Sequence, residues 1–285
     1  MPGTRRQRSG RRWDLPTVLT YLALLVGAIF AGFPVLWMLV SSVKSNTEIF
    51  ASPPTLLPET FTIEAYTHIF GDAEKMRFFF NSYLVAGAVT LLTLLVAILG
   101  GYTFSRHSFR FKKPLSLFII STQTVPPITL LIPYFGIVVA FGLYDTYLAL
   151  ILTYMVFTLP YAILMMTGYF NTLPRELDEA VLMDGGSSFT ALWRVIVPVS
   201  IPGIVATGVY TFLLAWNEFL FALTLTKSMD MRTVPIGIQL LMGQHAYEWN
   251  EMMAMSVLGS LPILVLYLCV QRYFLSGMTA GSLKD

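Results

Sequence analysis

The chain has 285 residues, of which 55% are hydrophobic and only 12% charged, with a formal net charge of +2. Soluble domains carry about 25% charged residues, so the composition excludes an ordinary water-soluble domain and predicts a chain that sits in lipid. The single cysteine, Cys269, lies in an apolar run, which excludes an internal disulfide and reads as packing.

Residues 1–14 come first, with five arginines, and are predicted to be a cytoplasmic tail. Residues 15–40 are uncharged. A signal peptide also places an apolar run after basic residues, but no small-residue cleavage site is evident. The run exceeds the ~20 helical residues a bilayer core requires, so it is predicted to be a retained first span. Residues 41–77 contain Pro53, Pro54 and Pro58 and read as an external loop with little regular structure at its start. A second span is predicted over 78–105, followed by a basic turn at 106–113.

The third uncharged stretch, 114–140, is broken by Pro126, Pro127 and Pro133. Proline is tolerated in a membrane helix when neighbours or water satisfy the freed carbonyls; a kinked helix beside a pathway and a kinked packing helix both fit. The fourth span is predicted over 147–170, with Pro160 inside it. A polar loop, 171–198, follows. The fifth span, 199–225, is interrupted near its far end by Glu218, and an external segment, 227–251, leads to a sixth span over 252–271 and a cytoplasmic tail, 272–285.

Six spans put both termini on one side, and 13 of the 18 lysines and arginines fall on that side. The positive-inside rule then places the termini and the polar loop in the cytoplasm. The predicted fold class is an all-α polytopic membrane protein with six transmembrane helices in a single domain over 15–285.

Within the polar loop, Thr172 is a candidate cap and Pro174 suits an opening turn; Glu176, Asp178 and Glu179 place negative charge near a helix N-terminus. Leu177, Ala180, Val181 and Asp184 share one face at helical spacing. Gly185 and Gly186 can end that helix in a left-handed turn, and Ser187 or Ser188 can cap a second helix. Taken alone, this is also how an ordinary polar connection between two spans reads.

The loop resembles the cytoplasmic signature loop of ABC-importer permeases, written E-A-A, three residues, G, nine residues, I-x-L-P. Here Glu179-Ala180-Val181 precedes Gly185 at that spacing, and Val195-Ile196-Val197-Pro198 follows nine residues later. Val181, Val195 and Val197 depart from the pattern while staying apolar. The stretches at 211–223, 232–238 and 271–285 resemble the carbohydrate, maltose-permease-like branch. The resemblance implies a coupling helix that docks on an ATPase, with Glu179, Ala180, Asp184, Gly185, Gly186 and Pro198 as its residues. It further implies that the tail residues Thr279, Ala280, Gly281 and Ser282 enter the ATPase interface, although a frayed terminus fits them equally. The implied partners are a second homologous permease in a heterodimer, two ATP-binding subunits, an external solute-binding protein, the lipid bilayer and a sugar-like solute.

Catalytic chemistry finds no support in the sequence. No phosphate-binding loop is present, and His68, His107 and His245 form no H-E-x-x-H pair. No cofactor, metal or nucleic acid is expected on this chain, ATP and magnesium being assigned to the partner ATPase. An ion-coupled secondary transporter is the alternative, but such proteins place ionisable groups near the bilayer midplane, and only Glu218 interrupts a span. Trp216, Asn217 and Glu218, with Tyr210 deeper, are candidate solute-pathway residues; the first three fit an interfacial belt as well.

Overall fold

The computed structural model describes residues 15–242 and 248–281; residues 1–14, His245 and Ser282 lie outside them, and of Thr279, Ala280 and Gly281 only the helical backbone is described. Every regular element among the described residues is helical. The apolar runs have no alternative in lipid, because each backbone N–H and C=O must be satisfied within its own segment.

Helix α1 (Leu15–Ser41) is long and almost wholly exposed, so its apolar surface faces lipid or another subunit. The segment after it is more ordered than its prolines suggest. It contains α2 (Asn46–Ile49), capped by Ser45, and α3 (Glu64–Gly71). Asp72 then caps α4 (Ala73–Arg106), the longest helix, by accepting from the backbone of Glu74 and Lys75.

The third stretch is a broken span. Helix α5 (Lys112–Thr122) bends by 95° into a 3-10 turn at Pro127–Leu130 and α6 (Leu131–Ala140). Pro126 and Pro127 cannot donate to the helical ladder, which permits the break. Helix α7 (Tyr147–Asn171) is continuous despite Pro160. Helix α8 (Glu176–Met183) and α9 (Ser188–Ala191) form the polar loop. A π-helical turn at Leu192–Ile196 leads to α10 (Val197–Val199), and the chain bends 79° at Ser200 into α11 (Ile201–Trp216). A second break at Asn217–Phe219 precedes α12 (Leu220–Leu225), so the predicted fifth span is two helices. The predicted external segment holds a 3-10 turn at Met229–Met231 and α13 (Val234–Leu240), whose Val234 and Ile236 are buried. Helix α14 (Trp249–Gly281) completes the chain. Among the described residues, four helices are long and apolar enough to cross a membrane, or up to six if each bent pair counts as one.

The core is the α4–α7 pair, with α11 packed on both. A Cβ on Gly101 would sit 2.7 Å from Met166 Cβ, so only glycine lets the two backbones approach this closely. Further along the seam, the buried hydroxyls of Thr93 and Thr158 share a hydrogen bond at 2.9 Å. The polar loop lies at one end of this pair, and α13 with the 229–231 turn lies at the other.

Candidate functional site

Helix α8 is held against the bundle by its Leu177, Asp178 and Val181 side. Leu177 packs against the buried cluster that includes Tyr102, Phe170, Leu192 and Ile196. Asp178 is buried, and its Oδ2 lies 2.8 Å from Nε of Arg106, the last residue of α4. Tyr102, one turn earlier on α4, donates its hydroxyl to Asp178 Oδ1 at 2.6 Å. The Arg106 Nη2 donates to the carbonyls of Leu173 and Pro174, which fixes the approach to α8 as well. Beside them, Ser105 donates to Asn171 Oδ1 at 2.7 Å.

This arrangement corrects two sequence expectations. Thr172 does not cap α8; its hydroxyl donates to Tyr169 O and closes α7 instead. The buried face is also rotated from the predicted one, because the Asp178 carboxylate turns inward to meet Arg106. Ala180 and Asp184 are thereby exposed. Neither member of the pair stands out in sequence, since they lie 72 positions apart (178 − 106) and each reads as a surface charge. The available signal was an arginine in the last turn of an apolar span rather than beyond it.

The end of α8 is a Schellman turn. The Gly186 N–H donates to Val181 O at 2.9 Å and the Gly185 N–H to Leu182 O at 3.1 Å. The two glycines serve different needs. Gly185 has φ +80° with open space where a Cβ would point. Gly186 has an ordinary φ, but a Cβ there would lie 2.6 Å from Val181 Cγ1. Ser187 then caps α9 by accepting from Thr190 N at 3.2 Å. Pro198 is exposed beyond the π-helical turn.

Among its exposed charges the loop also turns large apolar side chains outward. Met183 is 88% exposed, Phe189 66% and Leu182 48%, with Glu179 and Ala180 exposed alongside. A helix fixed by a buried ion pair while showing apolar side chains outward presents a surface without a partner.

The second candidate group lies along α11 and at its far end. Trp216 is buried, stacks on Phe212 and donates its indole N–H to Gly259 O at 3.1 Å, tying α11 to α14. Asn217 is exposed and donates to Leu213 O. The Glu218 carboxylate accepts from Phe221 N at 2.8 Å and Ala222 N at 3.0 Å, so it caps α12 across the break in the span. It also lines a cavity of about 210 Å³ with Tyr154, Phe157 and Thr158. Tyr210 stacks on Tyr161 at 4.0 Å between α11 and α7.

Residues 93–279 match the family described as the binding-protein-dependent transport system inner membrane component. The chain belongs to this family. It is 36% identical over 266 residues to the sulfoquinovosyl glycerol transport system permease protein of Agrobacterium fabrum, covering 93% of each chain. It is 35% identical to the trehalose/maltose transport system permease protein of Thermococcus litoralis, covering 94% of this chain and 98% of that one. In fold it is similar to a chain of a bacterial ABC transporter that imports the acidic polysaccharide alginate, with a TM-score of 0.81 at 19% identity over 96% of this chain and 100% of that one. This inner-membrane permease component is all-α and polytopic, as composition predicts.

Proposed function

We propose that the chain is the permease subunit of an ABC importer for a sugar or related polar solute, forming part of the pathway and coupling it to a separate ATPase through the 174–198 loop. The observation that carries this is the loop's construction: α8 is locked to α4 by Arg106–Asp178 while Leu182, Met183 and Phe189 stay uncovered. The named sugar permeases above support the solute class, and the alginate importer supports the assembly. In this reading a second permease, two ATP-binding subunits and an external solute-binding protein complete the transporter, and ATP and magnesium bind the ATP-binding subunits. The loop and both termini face the cytoplasm, as charge placement predicts. The tail from Thr279 onward meets the ATPases. Glu218, with Tyr210 and the exposed Asn217, borders the solute pathway, while Trp216 holds the wall in place.

The test is accessibility combined with assembly. In a Cys269→Ser background, a cysteine at Ser187 should be labelled from the cytoplasm and one at Ser228 from outside, and an ATP-hydrolysing subunit should co-purify. Labelling of both from the same side, or purification without an ATPase, overturns the reading.

A further inference from the structure

We propose that α4 is the rod that carries motion between the ATPase-facing loop and the external face, with Arg106 and Asn81 as positioning residues at its two ends. The inference rests on the coupling role proposed for the 174–198 loop and deepens it.

Three observations support a rod. First, among the unbroken spans α1, α7 and α14 have prolines inside the helix (Pro34, Pro160 and Pro262), and α4 has none. Interior proline is one of the usual sources of a sharp bend, and the Gly100–Gly101 pair that could also bend α4 is packed against Ile163 and Met166 of α7. The 34 residues of α4 reach about 50 Å at 1.5 Å per residue, longer than a bilayer core. Second, its loop end is fixed to α8 by polar contacts as well as packing. The Arg106–Asp178 pair is nearly buried on both sides, at 7% and 12% side-chain exposure, with Tyr102 as a second tie. A helix held only by apolar packing can slide; one held by a buried charge pair has a single preferred register, because displacement leaves a charge uncompensated.

Third, the other end grips the chain beyond α12. Asn81 is fully buried and donates from one Nδ2 to both Asp230 O and Arg232 O at 2.7 Å, while Tyr147 donates to its Oδ1 at 2.6 Å. Its neighbour Ser82 accepts from Val234 N, at the start of α13, at 2.8 Å. A push on α8 is therefore transmitted to the 230–234 segment through one helix, with a directional polar contact at each end.

The experiment uses the assembled importer in proteoliposomes, reading solute uptake, ATP hydrolysis and its stimulation by the solute-loaded binding protein. Single substitutions Arg106→Gln and Asp178→Asn each leave one buried group unmatched and should lower the yield. The double variant restores yield, because no buried charge remains, and should keep ATPase association while losing most of the stimulation, on the order of tenfold. Asn81→Ala lies at the opposite end from the ATPase. It should also cut stimulation severalfold with ATPase association unchanged, and Asn81→Asp, which keeps the acceptor for Tyr147 but turns a carboxylate oxygen toward the Asp230 and Arg232 carbonyls, should do no better. Wild-type stimulation and uptake in both the double variant and Asn81→Ala overturn the rod. A parallel Gly185→Val variant separates the two ideas. If it loses ATPase association while the rod variants behave as wild type, only the rod fails; if it also associates and transports normally, the coupling reading itself fails.

Discussion

The two ends of α4 are finished in opposite ways. At the end away from the polar loop the 229–234 segment folds back onto the bundle. Val234 and Ile236 are buried, Asn81 satisfies two carbonyls, and Asp145 accepts from the backbone of Lys227 and Ser228. The 229–234 segment is thus held by its own chain, although Phe50, Leu57 and Phe61 in the segment before α4 are exposed. At the loop end Asp178 is matched by the Tyr102 hydroxyl and the Arg106 charge, and Met183 and Phe189 project outward with nothing over them. In the proposed reading, those uncovered side chains are the face on which the ATPase docks at α8.

The largest effect expected from breaking this comparison is at the glycine pair. Gly185→Val places a β-branched residue at positive φ, where steric cost is greatest, and Gly186→Val drives a side chain into Val181. Each should abolish solute uptake with the protein still reaching the membrane. Gly185→Asn should be milder, because asparagine tolerates the left-handed region. Uptake assays on these three variants separate conformation from crowding; normal uptake by both valine variants would make the turn a mere connector.

Next in size is the uncovered surface. Phe189→Ala and Met183→Ala remove exposed side chains, so the folded chain should lose little stability, within about 0.5 kcal/mol. ATPase association should nevertheless weaken severalfold, as measured by co-purification at graded detergent and salt. Unchanged association would mean that lipid rather than the ATPase covers these residues.

What could be read in advance follows from distance along the chain. The α8 turn, its glycines and the Ser187 cap were legible because each is set by residues within one or two turns. Pro126 and Pro127 announce a break, but proline only permits a bend and does not set its 95° angle. Arg106 and Asp178 were missed because a buried ion pair and two surface charges have the same composition. The 227–251 stretch reads only as an external segment, since its helix α13 is seven residues long, too short for periodicity to register. Glu218 was singled out as an expensive charge in a span. Its backbone partners on α12 were invisible until the break in α11 placed them within reach.

A smaller effect is expected at Glu218. Glu218→Ala removes the cap of α12 and should cost about 1 kcal/mol, whereas Glu218→Gln keeps an accepting oxygen and should cost less. If the residue also borders the pathway, Glu218→Gln alters the apparent affinity for solute in uptake kinetics. Wild-type kinetics in Glu218→Gln with a lower melting temperature in Glu218→Ala would leave it a structural cap.

The smallest effect concerns pH at the external end, where two carboxylates titrate in opposite directions. Glu48 accepts from the Glu59 N–H and the Thr55 hydroxyl, and the Glu59 bond, aided by Thr55 and Lys44, holds its pKa below the ordinary glutamate range despite desolvation. Glu248 is pushed upward by desolvation and then by the neighbouring Glu251, with Lys75 and His68 opposing. A lowered pKa stabilises the folded form above the unfolded value, and that contribution is lost as pH falls through the folded value. A raised pKa does the reverse: the contribution is present below the unfolded value and is lost as pH rises through the folded one. Acidifying from neutral pH toward the ordinary glutamate range should therefore tighten the start of α14 and leave the 45–62 loop unchanged. Only below the ordinary glutamate range should the Glu48 loop loosen. Hydrogen exchange, corrected for intrinsic rates, reads both segments in one experiment. Parallel loosening of the two over the same pH interval would mean that a common opening of the external face, not two separately matched carboxylates, controls its stability.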